Sequence, residues 1–94
     1  MIKTYKDKAT QRYFEGEEIR KFRSVDRNLA YKRHDYLNAA NSLSDIPPLK
    51  SIHLHALSGS RKGQWTISLN GPWRLCFEFK EGNAFNVEIV NYHK

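Results

Sequence analysis

The chain is poor in several features that would place it in particular protein classes. It has a single cysteine, Cys76, so no internal disulfide can form, and this usage fits a reducing cytoplasm. No apolar run approaches the roughly 20 residues that a membrane-spanning helix needs. Residues 1–6 carry charge but neither an apolar core nor a cleavage site, which argues against a signal peptide. We therefore expect one cytoplasmic domain, residues 1–94, that does not enter a membrane.

The sequence also lacks the short motifs of several enzyme classes. It contains no nucleophile elbow, no phosphate-binding Walker loop, no zinc-protease motif and no signature of paired carboxylates. His53, His55 and His93 invite a zinc hypothesis, but such a site also needs a further ligand, and the only cysteine lies inside a predicted strand. We therefore expect neither a metal nor a cofactor.

The charge balance favours an acidic partner. The formal net charge is +6, which places nucleic acid first among the candidates. The excess of Lys and Arg is spread over both halves of the chain, and no basic tail is present. Any cationic surface must therefore be assembled by the fold.

Helical signals dominate the first half of the chain. After a short strand at residues 2–5, a first helix is predicted from a cap at Asp7 to about Phe14, and a second from a cap at Ser24 to about Asn41. The second helix is predicted to bury one apolar stripe, made of Val25, Leu29, Tyr36, Leu37 and Ala40. On or beside its solvent side we expect Lys32, Arg33 and Asp35.

Strand signals dominate the second half. Residues 53–57 can form a strand, and residues 64–69, 73–79 and 85–92 alternate between apolar and polar side chains. Asn70-Gly71 predicts a type I′ hairpin turn, in which both central residues have positive φ, and a second turn is predicted at residues 81–83. The overall order β-α-α-β-β-β predicts an α+β fold in which two N-terminal helices pack on one face of a small antiparallel sheet.

Several polar residues fall where the predicted sheet meets solvent. If Trp73 faces the helices, Arg74 lies on the opposite face, either as a snorkelling surface residue or as an anion contact. Arg61 and Lys62 lie in a glycine-flanked loop that could grip a phosphate or could simply be solvated. His55 and His93 can serve proton transfer or base stacking, or be partly exposed structural histidines, and Tyr92 can stack on a base or simply cap the core. Cys76 is expected to be buried and inert.

Three segments resemble the HigB family of RelE-like bacterial toxins, also called plasmid-maintenance killer proteins. They are the loop at residues 57–63, the hairpin at residues 70–77 and the terminal residues 87–93. The resemblance implies a RelE-like fold and a toxin of a type II toxin–antitoxin system. It implies a metal-independent endoribonuclease that cuts translated mRNA in the ribosomal A site, with a HigA-like helix-turn-helix antitoxin, the ribosome and mRNA as partners.

The resemblance also implies roles for individual residues. His55 and His93 would transfer protons, Arg74 would bind the scissile phosphate, Tyr92 would stack on or orient a nucleotide, and Asn91 would complete the catalytic group. Two further residues, Arg61 and Lys62, would contact the RNA backbone or ribosomal RNA.

The chain departs from the family pattern at two positions. Ser58 stands where the family often has lysine, and Asn91 stands where the tail usually has aspartate. Asparagine cannot raise the pKa of a nearby histidine or act as a base. Asn91 therefore fits a weakened toxin, an engineered variant or a natural branch. The alternative functions are a non-catalytic RNA- or ribosome-binding module, an antitoxin-bound co-repressor, and a structural interaction domain.

Overall fold

Two helices cover one face of a four-stranded antiparallel sheet in the computed structural model, which describes residues 1–92. The helices are α1 (Lys8–Phe14) and α2 (Arg27–Ala39). The strands pair in chain order: β1 (His55–Ala56), β2 (Trp65–Ser68), β3 (Trp73–Lys80) and β4 (Asn83–Asn91). The predicted α+β class, with helices before an antiparallel meander, is confirmed. No helix within residues 1–92 is long and apolar enough to cross a membrane.

The predicted first strand is only partly formed. Residues 2–5 run parallel to β4 through two isolated bridges, Ile2 to Ala84 and Tyr5 to Val87. Between these bridges the Asn86 N–H donates to the Thr4 hydroxyl at 2.8 Å rather than to a carbonyl, and Asn86 has a φ of 53°. This interruption prevents a continuous ladder. Four strands follow the helices, one at each of the four predicted segments, although the order β-α-α-β-β-β counted only three.

The two helices begin at aspartates. Asp7 accepts a hydrogen bond from the Thr10 N–H at 2.7 Å and caps α1, as predicted. The cap of α2 is Asp26, which accepts from the Leu29 N–H at 3.1 Å, so the prediction of Ser24 was wrong. Ser24 instead accepts a hydrogen bond from Trp73 Nε1 at 3.0 Å. An aspartate immediately before the helix offers a charged acceptor to the orphan N–H groups, and Ser24 is left to anchor the sheet.

One residue of α2 was assigned to the wrong side of the helix. Arg33, predicted near solvent, is only 7% exposed, and its guanidinium donates to the carbonyls of Ser68 at 2.6 Å and Ser51 at 3.1 Å. These carbonyls lie at the end of β2 and in the connector before β1, so burial of the charge is compensated by hydrogen bonds. In the predicted apolar stripe Val25, Leu37 and Ala40 are buried, while Leu29 and Tyr36 are half-buried.

The first hairpin turn differs from the prediction in type, and the second lies where it was predicted. At the β2–β3 turn the Trp73 N–H donates to the Asn70 carbonyl at 3.0 Å, and Gly71 has positive φ but Asn70 does not. The predicted type I′ geometry at Asn70-Gly71 is therefore wrong. A type I′ turn requires positive φ at both central residues. This is found instead at the β3–β4 turn, where Glu81 and Gly82 have φ of 50° and 79°.

The Asn70 side chain explains why its turn departs from the expected type. Its amide Nδ2 donates to the Ser24 carbonyl at 2.9 Å, and its Oδ1 accepts from the Asp26 N–H at 2.7 Å. These bonds fasten the hairpin to the start of α2. Pro72, which has no N–H, occupies a position of the turn where its nitrogen is not required to donate a ladder bond.

The pairing register divides the sheet into two faces. Directly opposed residues of antiparallel strands share a face, so Ile67 and Leu75 lie together on the side of the helices, where both are fully buried. The other side, called the open face below, carries two rows of paired side chains: His55, Thr66, Cys76 and Glu88 in one, and Ser68, Arg74 and Val90 in the other.

Candidate active site

The first row of the open face is covered at its centre by the loop between β1 and β2. Thr66 and Cys76 are 2% and 1% exposed although they point away from the helices, and Cys76 Sγ donates to Thr66 Oγ1 at 3.7 Å. Burial raises the pKa of the Cys76 thiol, so the sulfur stays protonated and unreactive. The expectation that Cys76 is buried is confirmed, and this pair forms an inert floor beneath the loop.

Arg61 holds that loop against the sheet. Its guanidinium NH1 donates to Glu88 Oε1 at 2.9 Å and to Gln64 Oε1 at 3.0 Å. The pKa of Arg61 is raised, first because Glu88 hydrogen-bonds its charged form. A short 3₁₀ turn, Gly59–Arg61, and positive φ at Gly59 and Gly63 let the chain reverse tightly enough for this contact.

Arg74 lies near the hairpin end of the open face, beside Tyr92. Its NH1 donates to the carbonyls of Gly71 at 3.1 Å and Trp73 at 3.0 Å. Its Cζ lies 6.0 Å from the centre of the Tyr92 ring, within the range of a cation–π contact. Both hydrogen bonds use a single nitrogen of the guanidinium, so the geometry leaves the other N–H donors for a ligand.

His55 begins the first row at the edge of the sheet. The side chain is exposed, and its Nδ1 lies 3.1 Å from the His53 carbonyl oxygen. A carbonyl only accepts, so this hydrogen bond requires the proton on Nδ1 and leaves Nε2 able to accept one. The two imidazole rings lie with centroids 4.5 Å apart, and His53 adopts a φ of 48°, which is uncommon outside glycine. The contact with the His53 carbonyl orients the His55 ring.

A shallow cavity connects several of these side chains. It has a volume of about 340 Å³, and its lining includes His55, Ser58, Ser60, Arg61 and Tyr92. Exposed hydroxyls, an imidazole, a guanidinium and a phenol therefore converge on one depression of the open face. Such a set can bind an anion, accept a proton and stack on a planar base.

The other predicted site residues are distributed unevenly around this cavity. Arg74 adjoins it through Tyr92. Asn91 is paired with Trp73, so the register places it on the other side of the sheet, at an exposed position. Lys62 follows the 3₁₀ turn and is exposed, but it is not part of the cavity lining. His93 lies outside the described residues.

Glu88 is a site residue that was not singled out from the sequence. Alternation along β4 was sufficient to place it on the open face, because Val87 and Ile89 on either side of it are buried. Its pairing with Arg61 could not be read in the same way, since the loop that carries Arg61 follows no periodic pattern.

Comparison with known proteins gives a consistent set of relatives. A family model described as the RelE-like toxin of type II toxin–antitoxin system HigB matches residues 3–93. Endoribonuclease HigB of Proteus vulgaris is 32% identical over 95 residues, which cover 99% of this chain and all of the relative. Toxin HigB-1 of Vibrio cholerae serotype O1 (strain ATCC 39315 / El Tor Inaba N16961) is 29% identical over 90 residues, which cover 95% of each chain.

Proposed function

Because the chain belongs to the HigB family of RelE-like toxins of type II toxin–antitoxin systems, we propose that it is an endoribonuclease that cuts translated mRNA. The ribosomal A site is the proposed place of cleavage, and the proposed reaction needs no metal. The observation that carries the proposal is the convergence of His55, Arg61 and Tyr92 on one cavity of the open face, with Arg74 beside Tyr92. The name of the Proteus relative supports the class of reaction.

The proposed reaction is attack of a ribose 2′-OH on the adjacent phosphate. The 2′-oxygen forms a bond to phosphorus, the bond to the 5′-oxygen breaks, and the products are a 2′,3′-cyclic phosphate and a 5′-OH. The enzyme must align the attack, remove one proton, stabilise the added negative charge and return a proton to the leaving oxygen. All four tasks can be performed by amino-acid side chains.

Individual side chains suit these tasks. His55 Nε2 is free to accept the proton of the 2′-OH, because Nδ1 faces the His53 carbonyl. The unused N–H donors of Arg74 can bind the phosphate as negative charge develops on it. The Tyr92 ring, 41% exposed, offers a surface on which a base can stack. The proposed role of His93 is protonation of the leaving oxygen, and Asn91 is proposed to support the terminal segment from the other side of the sheet.

The loop cations have different proposed roles. Arg61 already engages Glu88 and Gln64, so we assign it the positioning of the cavity wall as well as contact with RNA through its remaining donors. Lys62 is exposed and would contact RNA backbone as a point charge.

The family assignment also determines the kind of partner. A toxin of a type II system acts with an antitoxin, and we propose a HigA-like helix-turn-helix protein as that partner and the cytoplasm as the place of action. A second candidate function is a binding module without chemistry. It is favoured by Asn91, which replaces an expected carboxylate, and by Ser58, which replaces an expected cation in the cavity wall.

Induced expression followed by mapping of new 5′ ends on a reporter mRNA tests the proposal. The chain, its Asn91→Asp variant and its Arg74→Ala variant are compared on a translated reporter and on one whose start codon is removed. We expect new 5′-OH ends only on the translated reporter and none with Arg74→Ala. Cleavage by Asn91→Asp alone would identify a silenced toxin, and intact mRNA in every case would support the binding module.

A further inference from the structure

A cluster of three cations lies outside the candidate active site. Arg20, Lys21 and Arg23 occupy three of four consecutive positions in and after the 3₁₀ turn Arg20–Phe22, and all three side chains are exposed. Within residues 1–92, none of the three forms an ion pair with a carboxylate within 4.0 Å. Like charges this close repel one another, so the cluster is suited to an anionic ligand.

The turn is fixed firmly to the sheet. Phe22, between the cations, is 2% exposed and packs edge-to-face on Trp73, with ring centroids 5.9 Å apart. Ser24, two residues after Phe22, accepts the hydrogen bond from Trp73 Nε1. The cations are therefore carried on a rigid segment. When a ligand binds, only the three cationic side chains need to become ordered, which keeps the entropic cost of binding low.

The cluster lies at the end of the sheet that also carries Arg74 and Tyr92. Trp73, to which the turn is anchored, directly precedes Arg74 in β3. The Tyr92 N–H donates to the Pro72 carbonyl at 2.8 Å, so the end of β4 lies against the same hairpin turn. A strand of RNA that leaves the open face at Arg74 and Tyr92 thus passes this edge of the molecule.

Two shallow depressions flank the turn. Their volumes are about 420 and 580 Å³, and Arg20 and Arg23 line both of them. Glu18 and Arg27 also line the first, and Arg27 is already bound to the Tyr31 hydroxyl at 2.7 Å and the Glu17 carbonyl at 3.0 Å. The second depression is lined by all three cations and Ser24, with no carboxylate among the described residues of its lining, and is therefore the better fit for phosphates.

We propose that Arg20, Lys21 and Arg23 bind backbone phosphates of the substrate RNA strand where it leaves the open face. This accessory site rests on the proposed function, because its ligand is the continuation of the same RNA strand. A repeating phosphate backbone fits the arrangement better than an acidic protein segment does. A protein partner usually also needs an exposed apolar anchor, and Phe22 in this segment is buried.

Salt-dependent binding of uncleavable RNA tests the site. The triple variant Arg20→Gln, Lys21→Gln, Arg23→Gln is compared with the control triple variant Lys3→Gln, Lys8→Gln, Lys32→Gln, which removes the same charge from other exposed positions. The probe is a 2′-O-methyl RNA of twelve nucleotides. Loss of three phosphate contacts should lower the slope of log affinity against log salt by about 2, at about 0.7 per contact on single strands. The control should change the slope by less than about 1.

Further arms separate this proposal from its alternatives. A trinucleotide probe is too short to reach from the open face to the cation cluster. It should therefore give equal salt slopes for the cluster variant and the control variant. Equal slopes on the twelve-nucleotide probe would overturn the proposal. If the triple variant weakens binding only to ribosomes, the ligand of the cluster is ribosomal RNA. If it loses antitoxin capture while its RNA slope is unchanged, the ligand is a protein partner. Either result would overturn the proposal. A lowered slope in a chain that cuts no mRNA would support the site while refuting the proposed nuclease.

Discussion

Arg61 and Glu88, 27 residues apart in the sequence, form an ion pair of 2.9 Å on the face of the sheet that is turned away from the helices. Their side chains are 34% and 16% exposed. The contact joins the loop between β1 and β2 to the last strand and passes over the buried pair Thr66 and Cys76. It therefore fixes one wall of the cavity that His55 and Tyr92 also line.

A double-mutant cycle with Arg61→Ala and Glu88→Ala should show coupling between these two residues. We expect a coupling free energy of unfolding of about 1 kcal/mol, since the pair is partly screened by water and forms one charge-assisted hydrogen bond. Urea unfolding of the four proteins measures it. Additive effects of the two substitutions would show that the contact between Arg61 and Glu88 does not stabilise the loop between β1 and β2.

Arg74→Lys should separate the charge of Arg74 from its shape. Lysine keeps the positive charge but loses the planar fork, so we expect mRNA cleavage to fall by about a hundredfold while ribosome binding changes little. The rate at which new 5′ ends form on ribosome complexes measures the effect. Lys80→Ala, at the exposed opposite end of β3, should leave the rate unchanged. Full activity of Arg74→Lys would contradict a bidentate phosphate contact.

Much of the sheet was predictable because its signals are local. The alternation in β3 correctly placed Trp73, Leu75 and Phe77 in the core and Arg74 on the opposite face. The cap of α1 at Asp7 was predictable for the same reason. The register across neighbouring strands brings His55 into one row with Glu88, but the two-residue turn expected at Asn70-Gly71 would have shifted the β2–β3 pairing by one residue, so the row could not be predicted from turn length.

The errors share a different cause, which is contact between distant segments. Arg33 looks like a solvent residue by helical periodicity, and only the carbonyls of Ser51 and Ser68 make its burial favourable. Asn70 looks like the first residue of a type I′ turn, but its side chain binds the start of α2. The pairing of Arg61 with Glu88 is of the same kind. Periodicity reports which face a residue occupies, not the tertiary partner it meets there.

His34 should make stability depend on pH. Burial lowers the pKa of its imidazole below the ordinary value of 6.5, and its Nε2 lies 2.7 Å from the Tyr5 hydroxyl while its ring stacks on Phe14 at 4.1 Å. Between pH 6.5 and the lower pKa that His34 has in the folded protein, the unfolded chain binds a proton that the folded chain does not. Stability from the neutral ring is therefore complete above pH 6.5 and is lost as pH falls through this window.

The variant His34→Gln isolates this contribution. It removes the titrating group and keeps a hydrogen-bonding side chain, so the difference in unfolding free energy between the two proteins should shrink from pH 7.5 to pH 5. Urea unfolding at several pH values measures the difference, and acid effects common to both proteins cancel. A difference that stays constant over this range would contradict the lowered pKa.

Arg33→Met should be among the most destabilising single changes in α2. Methionine fills a similar apolar volume, but it leaves the carbonyls of Ser51 and Ser68 without the donor they have in the folded protein. We expect a loss of about 2 to 4 kcal/mol in the free energy of unfolding, and a smaller loss for Arg33→Lys, which keeps the charge and can reach one carbonyl. The matched control is Lys32→Met at the exposed neighbouring position, where the change should stay within about 0.5 kcal/mol. Urea unfolding of the three variants ranks them. Equal stability of Arg33→Met and Lys32→Met would mean that the buried guanidinium contributes no net stabilisation.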